Sequence, residues 1–168
     1  RRLPNPNGEF VFLANFEWGE RKDPWLLLRA FGDTFSADEP VRLLLKTTSA
    51  APRQVAALQR LAGPARVELR NGYLHHGELL DLVSACDAYV SLHRSEGLGL
   101  TLLDALMLGK PVVATPYSGV TEFFAGPGAY PVAFREVPLA RNHGPYPRGA
   151  VWAEPDVADA ARQMRVVY

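Results

Sequence analysis

The sequence predicts an α/β fold, a parallel sheet covered by helices on both faces. Two observations carry this. Strand-like and helix-like segments alternate from Phe10 to Ala114, and such alternation builds parallel sheets through crossover connections. The strand-like segments are also nearly continuous apolar runs, as strands buried on both faces are. Ligands of such sheets bind beyond the carboxyl ends of the strands. Chemistry is therefore expected in the loops after Ala14, Leu45, Leu69, Leu92 and Ala114.

Each element has a local reason. Phe10 to Ala14 follows an Asn-Gly pair and reads as a buried strand. Pro24 suits a first helical position, and Leu27, Ala30 and Phe31 recur at helical spacing, so a helix is expected from Pro24 to Phe35. Val41 to Leu45 is a second strand. Pro52 to Ala62 is a helix with Val55, Leu58 and Leu61 on one side, stopped by Gly63-Pro64. Val67 to Leu69 is a short strand, Glu78 to Cys86 a helix and Ala88 to Leu92 a strand. Leu100 to Leu108 is an apolar helix closed by Gly109, and Pro111 to Ala114 a strand. Thr121 to Phe124 suggests a short helix. Residues 125–150, rich in Gly, Pro and Arg, read as loop with one strand at Tyr130 to Ala133. A final helix is expected over 154–168, with Val157, Ala160, Ala161 and Met164 as its apolar face.

The 168 residues fit one domain, and 48% hydrophobic content suffices for a core, which excludes whole-chain disorder. Eighteen basic side chains balance eighteen acidic ones, so no basic surplus points to nucleic acid. A single cysteine, Cys86, excludes an intrachain disulfide and a cysteine-built metal cage. The four histidines do not form a metal set. No apolar run reaches membrane-spanning length. Residues 1–8, rich in Pro and Asn, read as a linker.

The stretch from Ser91 to Ser118 is the richest. A strand ends, His93-Arg94-Ser95-Glu96 follows, then Gly97-Leu98-Gly99, then the apolar helix. A Gly-rich turn at a helix start presents N–H groups and the positive end of the dipole, an anion site; otherwise it is a turn that packs a helix on the sheet. Gly97 and Gly99 begin a dinucleotide fingerprint, but Leu102 stands where the third Gly belongs. Gly109-Lys110 resembles the end of a P-loop, but Pro111 replaces the magnesium-holding hydroxyl. Asp104 stands among apolar residues, so it is either buried toward a wet cleft or on a narrow solvent stripe. Burying an unpaired carboxylate costs roughly several kcal/mol.

Glu96 and Asp104, with Gly97-Leu98-Gly99-Leu100 between them, resemble the Glu-x7-Glu motif of retaining GT-B glycosyltransferases of group 1, family 4. Asp104-Ala105-Leu106, Gly109-Lys110-Pro111-Val112-Val113-Ala114 and Ser118-Gly119-Val120-Thr121-Glu122 continue that pattern in order. The departures are Leu98 for Phe, Asp104 for the second Glu and Ser118 for the first of two glycines. Arg21-Lys22, Gly72-Tyr73-Leu74 and the Trp152 to Asp156 segment extend the similarity.

The resemblance implies a Rossmann-like three-layer α/β/α domain, the carboxyl-terminal half of a GT-B fold. Residues 1–168 would be the nucleotide-sugar donor domain, preceded by an acceptor-binding domain. Arg21 and Lys22, alone readable as a solvated basic pair, would meet the donor diphosphate. Gly97, Leu98, Gly99, Leu100 and Thr101 would supply the turn and its N–H donors. Glu96 would be the catalytic carboxylate facing the sugar. Asp104 would hold the ribose, and Tyr73 and Leu74 would flank the base, although Tyr73 is nearly as readable as an ordinary half-buried aromatic. His93 contacts the sugar or serves the loop, His143 is expected in solvent, and Glu122 stands behind the site.

No Asp-x-Asp pair occurs, so no metal and no other cofactor is expected. The implied partners are the nucleotide-sugar donor, the preceding domain and a glycan or lipid-linked acceptor, not nucleic acid. The implied setting is cytoplasmic bacterial polysaccharide synthesis, with any peripheral attachment to the inner membrane face made by the preceding domain. The 168 residues alone would bind donor with little transfer, since catalysis needs both reactants held together. A non-catalytic nucleotide-binding module and a sugar-nucleotide epimerase half-domain remain the alternatives.

Overall fold

The computed structural model describes residues 8–48, 50–62 and 66–168, without the side chains of 59, 61 and 62. Residues 1–7 of the expected linker, the Gly63-Pro64 stop and the Leu61 side chain lie outside the described residues. Six strands form one parallel sheet: β1 (Phe10–Phe16), β2 (Val41–Thr47), β3 (Val67–Asn71), β4 (Ala88–Ser91), β5 (Val112–Ala114) and β6 (Ala129–Pro131). Their spatial order is β3-β2-β1-β4-β5-β6, the doubly wound arrangement with its switch point between the first and fourth strands. The helices are α1 (Pro24–Thr34), α2 (Pro52–Ala62), α3 (His76–Ala85), α4 (Leu100–Met107) and α5 (Val157–Val167).

Side chains alternate across the sheet into two cores. Phe12, Ala14, Leu43, Leu45 and Val90 pack with Phe31 of α1, Leu58 of α2 and Met164 of α5. Val11, Leu13, Leu44 and Tyr89 pack with Val83 of α3 and with Leu102 and Ala105 of α4. The three-layer α/β/α expectation holds. Both sheet faces are covered, which is why the strand sequences lack polar alternation. Asp23 caps α1, accepting the Leu26 amide at 3.1 Å, and Pro24 takes the first helical position.

The carboxyl-terminal quarter differs from the expectation. The strand expected at Tyr130 to Ala133 is β6, which begins one residue earlier and ends two earlier, and an antiparallel hairpin follows it: β7 (Phe134–Pro138) with β8 (Val151–Pro155). Glu154 and Pro155 close β8 rather than opening the last helix, which runs 157–167. Asp156 is the cap, because its short carboxylate reaches the Asp159 amide at 3.0 Å. The short helix near Thr121 is a 3-10 turn over Ser118–Glu122. Among the described residues no helix is long and apolar enough to cross a membrane.

Candidate functional site

A cleft of about 270 Å³ opens where the strand order reverses, at the carboxyl ends of β1 and β4. Asn15, Phe16 and Glu17 line it from β1 and its exit, and Tyr89 from β4. Arg21 and Lys22 enter from a 3-10 turn, and Glu96 and Leu98 through Leu102 from the connection into α4. Thr101 accepts from the Asn15 side chain at 3.4 Å, and the Tyr89 hydroxyl donates to the Asn15 carbonyl at 3.0 Å, so the floor is tied across the switch point.

The charges converge on Glu96. Lys22 forms an ion pair with one carboxylate oxygen. Arg21 stands 3.6 Å from the other, which also accepts the Gly97 amide at 3.1 Å. Arg21 further donates to the Ser95 carbonyl at 3.0 Å. Burial pushes the Lys22 ammonium down to about 8, the Arg21 guanidinium adds to this, and Glu17 opposes it. Burial, with Lys22 and Arg21 nearby, pushes the His93 imidazole down to about 3. His93 is therefore neutral near pH 7. It is fully buried, with Nδ1 3.0 Å from the Ser91 hydroxyl and Nε2 without a hydrogen-bond partner among the described residues.

The structure gathers Arg21, Lys22, Glu96, Leu98, Gly99, Leu100 and Thr101 around one cleft. Gly97 adjoins it through its bond to Glu96. Asp104 is half-buried on α4 and does not line the cleft. The apolar helix α4 is buried on one side only: Leu102 and Ala105 pack in the core, while Leu100 and Met107 are exposed. Tyr73 is 75% exposed, edge-on to His75 at 5.3 Å. Leu74 packs against the α3–α4 core. Neither lines this cleft, although their loop leaves the same edge of the sheet. His143 is not in solvent as expected; it pairs with Glu20 and lies 5.1 Å from the Trp152 ring. Among the described residues no three His, Cys, Asp or Glu side chains cluster as a metal site.

The sequence model of the family described as glycosyl transferases group 1 matches residues 7–137. The chain belongs to this family. Its fold matches one domain of GT-B glycosyltransferases in solved structures, and the chain spans about a third or less of the length of HepE and TarM. HepE of Anabaena, in complex with UDP and glucose, is 22% identical with a TM-score of 0.59, over 70% of this chain and 32% of HepE. TarM of S. aureus, in a complex with fondaparinux, alpha-GlcNAc-glycerol and UDP, is 16% identical with a TM-score of 0.66, over 95% of this chain and 28% of TarM. The carboxyl-terminal domain of the group 1 protein LpcC from Francisella tularensis is 19% identical with a TM-score of 0.57, over 69% of this chain and 63% of that domain. No curated protein matches.

In this group 1 domain the glycine turn is fixed by close packing. Gly99 caps α4 at φ 69°, and a Cβ there would meet Val120 Cγ1 at 2.6 Å. Gly119 donates to the Glu96 carbonyl at 3.1 Å, and a Cβ there would sit 1.5 Å from the Gly97 carbonyl oxygen. Arg94 locks the neighbourhood. Its amide donates to the Arg21 carbonyl at 2.7 Å and its carbonyl accepts the Ala153 amide of β8 at 2.9 Å. Its guanidinium donates twice to Asp23, at 2.9 and 2.6 Å. Sequence reasoning missed Asn15, Tyr89 and Arg94; the exit of the first strand was the available signal for Asn15.

Proposed function

We propose that this domain binds a nucleoside-diphosphate sugar and is the donor half of a retaining glycosyltransferase acting in bacterial polysaccharide or lipid-linked glycan assembly. The observation that carries this is the convergence of Arg21, Lys22 and Glu96 at the switch point, beside the N-terminus of α4. The complexes of HepE and TarM, whose ligands include UDP, support a nucleotide donor and make uridine the first base to test.

The leaving diphosphate gains charge as the sugar departs, so donors fixed before the reaction stabilise it most. Arg21 and Lys22 supply that charge, and the first amides of α4 add N–H donors and the helix dipole. Without donor, Glu96 neutralises the half-buried cations, which would otherwise be costly to hold. A diphosphate takes over Lys22 and frees Glu96 to accept hydrogen bonds from the sugar hydroxyls and to face the positive charge that develops on the sugar ring. With two cations at the diphosphate, no metal is required of the site.

Calorimetric titration of the 168-residue chain with UDP, GDP and ADP tests this. One nucleotide binds saturably, EDTA leaves its affinity unchanged, and Lys22→Ala weakens it by about tenfold to a hundredfold. Because the free Lys22 titrates near 8 and a bound diphosphate favours its charged form, binding takes up a proton. Affinity therefore falls as pH rises through about 8, and Lys22→Arg removes that dependence. Equal affinity for all three nucleotides at every pH, untouched by Lys22→Ala, would sink the reading.

A further inference from the structure

A second cleft, of about 740 Å³, lies beside the first, between Gly19-Glu20 and the connection of the β7–β8 hairpin. Arg21 lines both clefts. Trp152 lines both this cleft and the adjoining one toward Leu139; it is 3% exposed, and its indole Nε1–H has no hydrogen-bond partner among the described residues. An unpaired buried donor is costly unless something completes it. The His143 and Tyr146 rings approach Trp152 at 5.1 Å each, inclined 52° and 74° to it. Glu20 pairs with both Arg141, at 3.5 Å, and His143. Two backbone bonds of 2.9 and 3.0 Å between His143 and Tyr146 close the turn on itself, so this wall is preformed.

These features sort ligands by shape and charge. A flat base stacks on a single face or between parallel ones. Rings meeting steeply make a corner, which suits a saturated ring carrying C–H bonds on more than one side. The rim offers a carboxylate acceptor at Glu20, guanidinium donors at Arg141 and an amide with both functions at Asn142. Neighbouring hydroxyls, each donor and acceptor, match that set. Glu20 balances Arg141, and Arg21 is balanced by Glu96 in the first cleft, which favours a neutral ligand.

We propose that this aromatic corner is a carbohydrate subsite for the acceptor, seating a sugar ring next to the donor cleft across Arg21; its acceptor role rests on the donor reading above.

The test is a nitrogen–proton correlation spectrum of the 168-residue chain, whose three tryptophans give three indole signals. The Trp152 signal is assigned with Trp152→Phe. The chain is titrated separately with methyl α-glucopyranoside, methyl β-galactopyranoside, the methyl glycoside of N-acetylglucosamine, and UDP. At least one glycoside should move the Trp152 indole saturably. Tyr146→Ala should weaken that binding about tenfold with UDP affinity unchanged. Arg141→Ala, at an exposed side chain, should weaken it several-fold and serves if the tyrosine variant does not fold. UDP binding with no glycoside response at Trp152 overturns the subsite alone. So does a Trp152 response to UDP only, or glycoside affinity indifferent to both variants. Glycoside binding with no nucleotide binding overturns the acceptor role together with the donor reading.

Discussion

Ser118 carries backbone strain at a position where a side chain is a burden. Its φ is 68°, in the left-handed region, which costs a non-glycine residue roughly 1–2 kcal/mol. The strain is local, because the next residue must be Gly119, pressed against the Gly97 carbonyl. Ser118→Gly should stabilise the domain by about 1 kcal/mol after the added unfolded-state entropy is subtracted, a rise of about 2–4 °C in Tm. Ser118→Ala, which keeps the Cβ, should not. Gly119→Ala should cost about 3 kcal/mol, since its neighbour is backbone and cannot turn aside. Differential scanning calorimetry of the three variants checks the order, and a Ser118→Gly variant less stable than the parent would refute the strain account.

The turn that carries Arg21 and Lys22 is short, and other elements hold it. Asp23, at φ 37°, caps α1 and receives the Arg94 guanidinium. One carboxylate thus ends the turn, starts a helix and anchors the connection that carries Glu96. Asp23→Ala removes the cap and leaves Arg94 unpaired, with an expected loss of about 2–4 kcal/mol. Asp23→Asn tolerates the left-handed backbone and keeps a capping oxygen, so its loss should be about 1 kcal/mol. A double-mutant cycle of Asp23→Asn with Arg94→Met, followed by urea unfolding, should show coupling of about 1 kcal/mol or more; additive losses would mean that the pair is incidental.

The whole molecule is a sheet held between two unlike layers. The cleft at the switch point opens beside α4, while α5 closes the opposite face, where Met164 is wholly buried against the α1 side. Met164→Ala should therefore cost about 2–5 kcal/mol and leave nucleotide affinity unchanged. Urea titration and calorimetry on the same sample measure both. Lost affinity in a folded variant would show that the two faces are coupled.

The sheet was legible in the sequence because strands buried on both faces are nearly all apolar. Phe10 to Ala14, Val41 to Leu45 and Ala88 to Leu92 announce themselves. The β7–β8 hairpin was not. Phe134-Arg135-Glu136-Val137-Pro138 is largely exposed, ends in proline and is joined by a Gly- and Pro-rich connection, so neither periodicity nor an apolar run marks it. The glycine turn and the basic pair were legible through their motif. The ties made by Asn15, Tyr89 and Arg94 were not, because they join positions more than seventy residues apart that only the strand order makes neighbours.

The close approach of Gly119 to Gly97 has a consequence for how lineages of this fold decay. A chain that abandoned sugar transfer would be free to exchange its lysine, its arginine and its glutamate, but not that glycine, whose loss would break the packing itself. Steric signatures outlast chemical ones. In a degenerate descendant the glycines would still spell the old fold, whatever became of the Lys22–Glu96 pair.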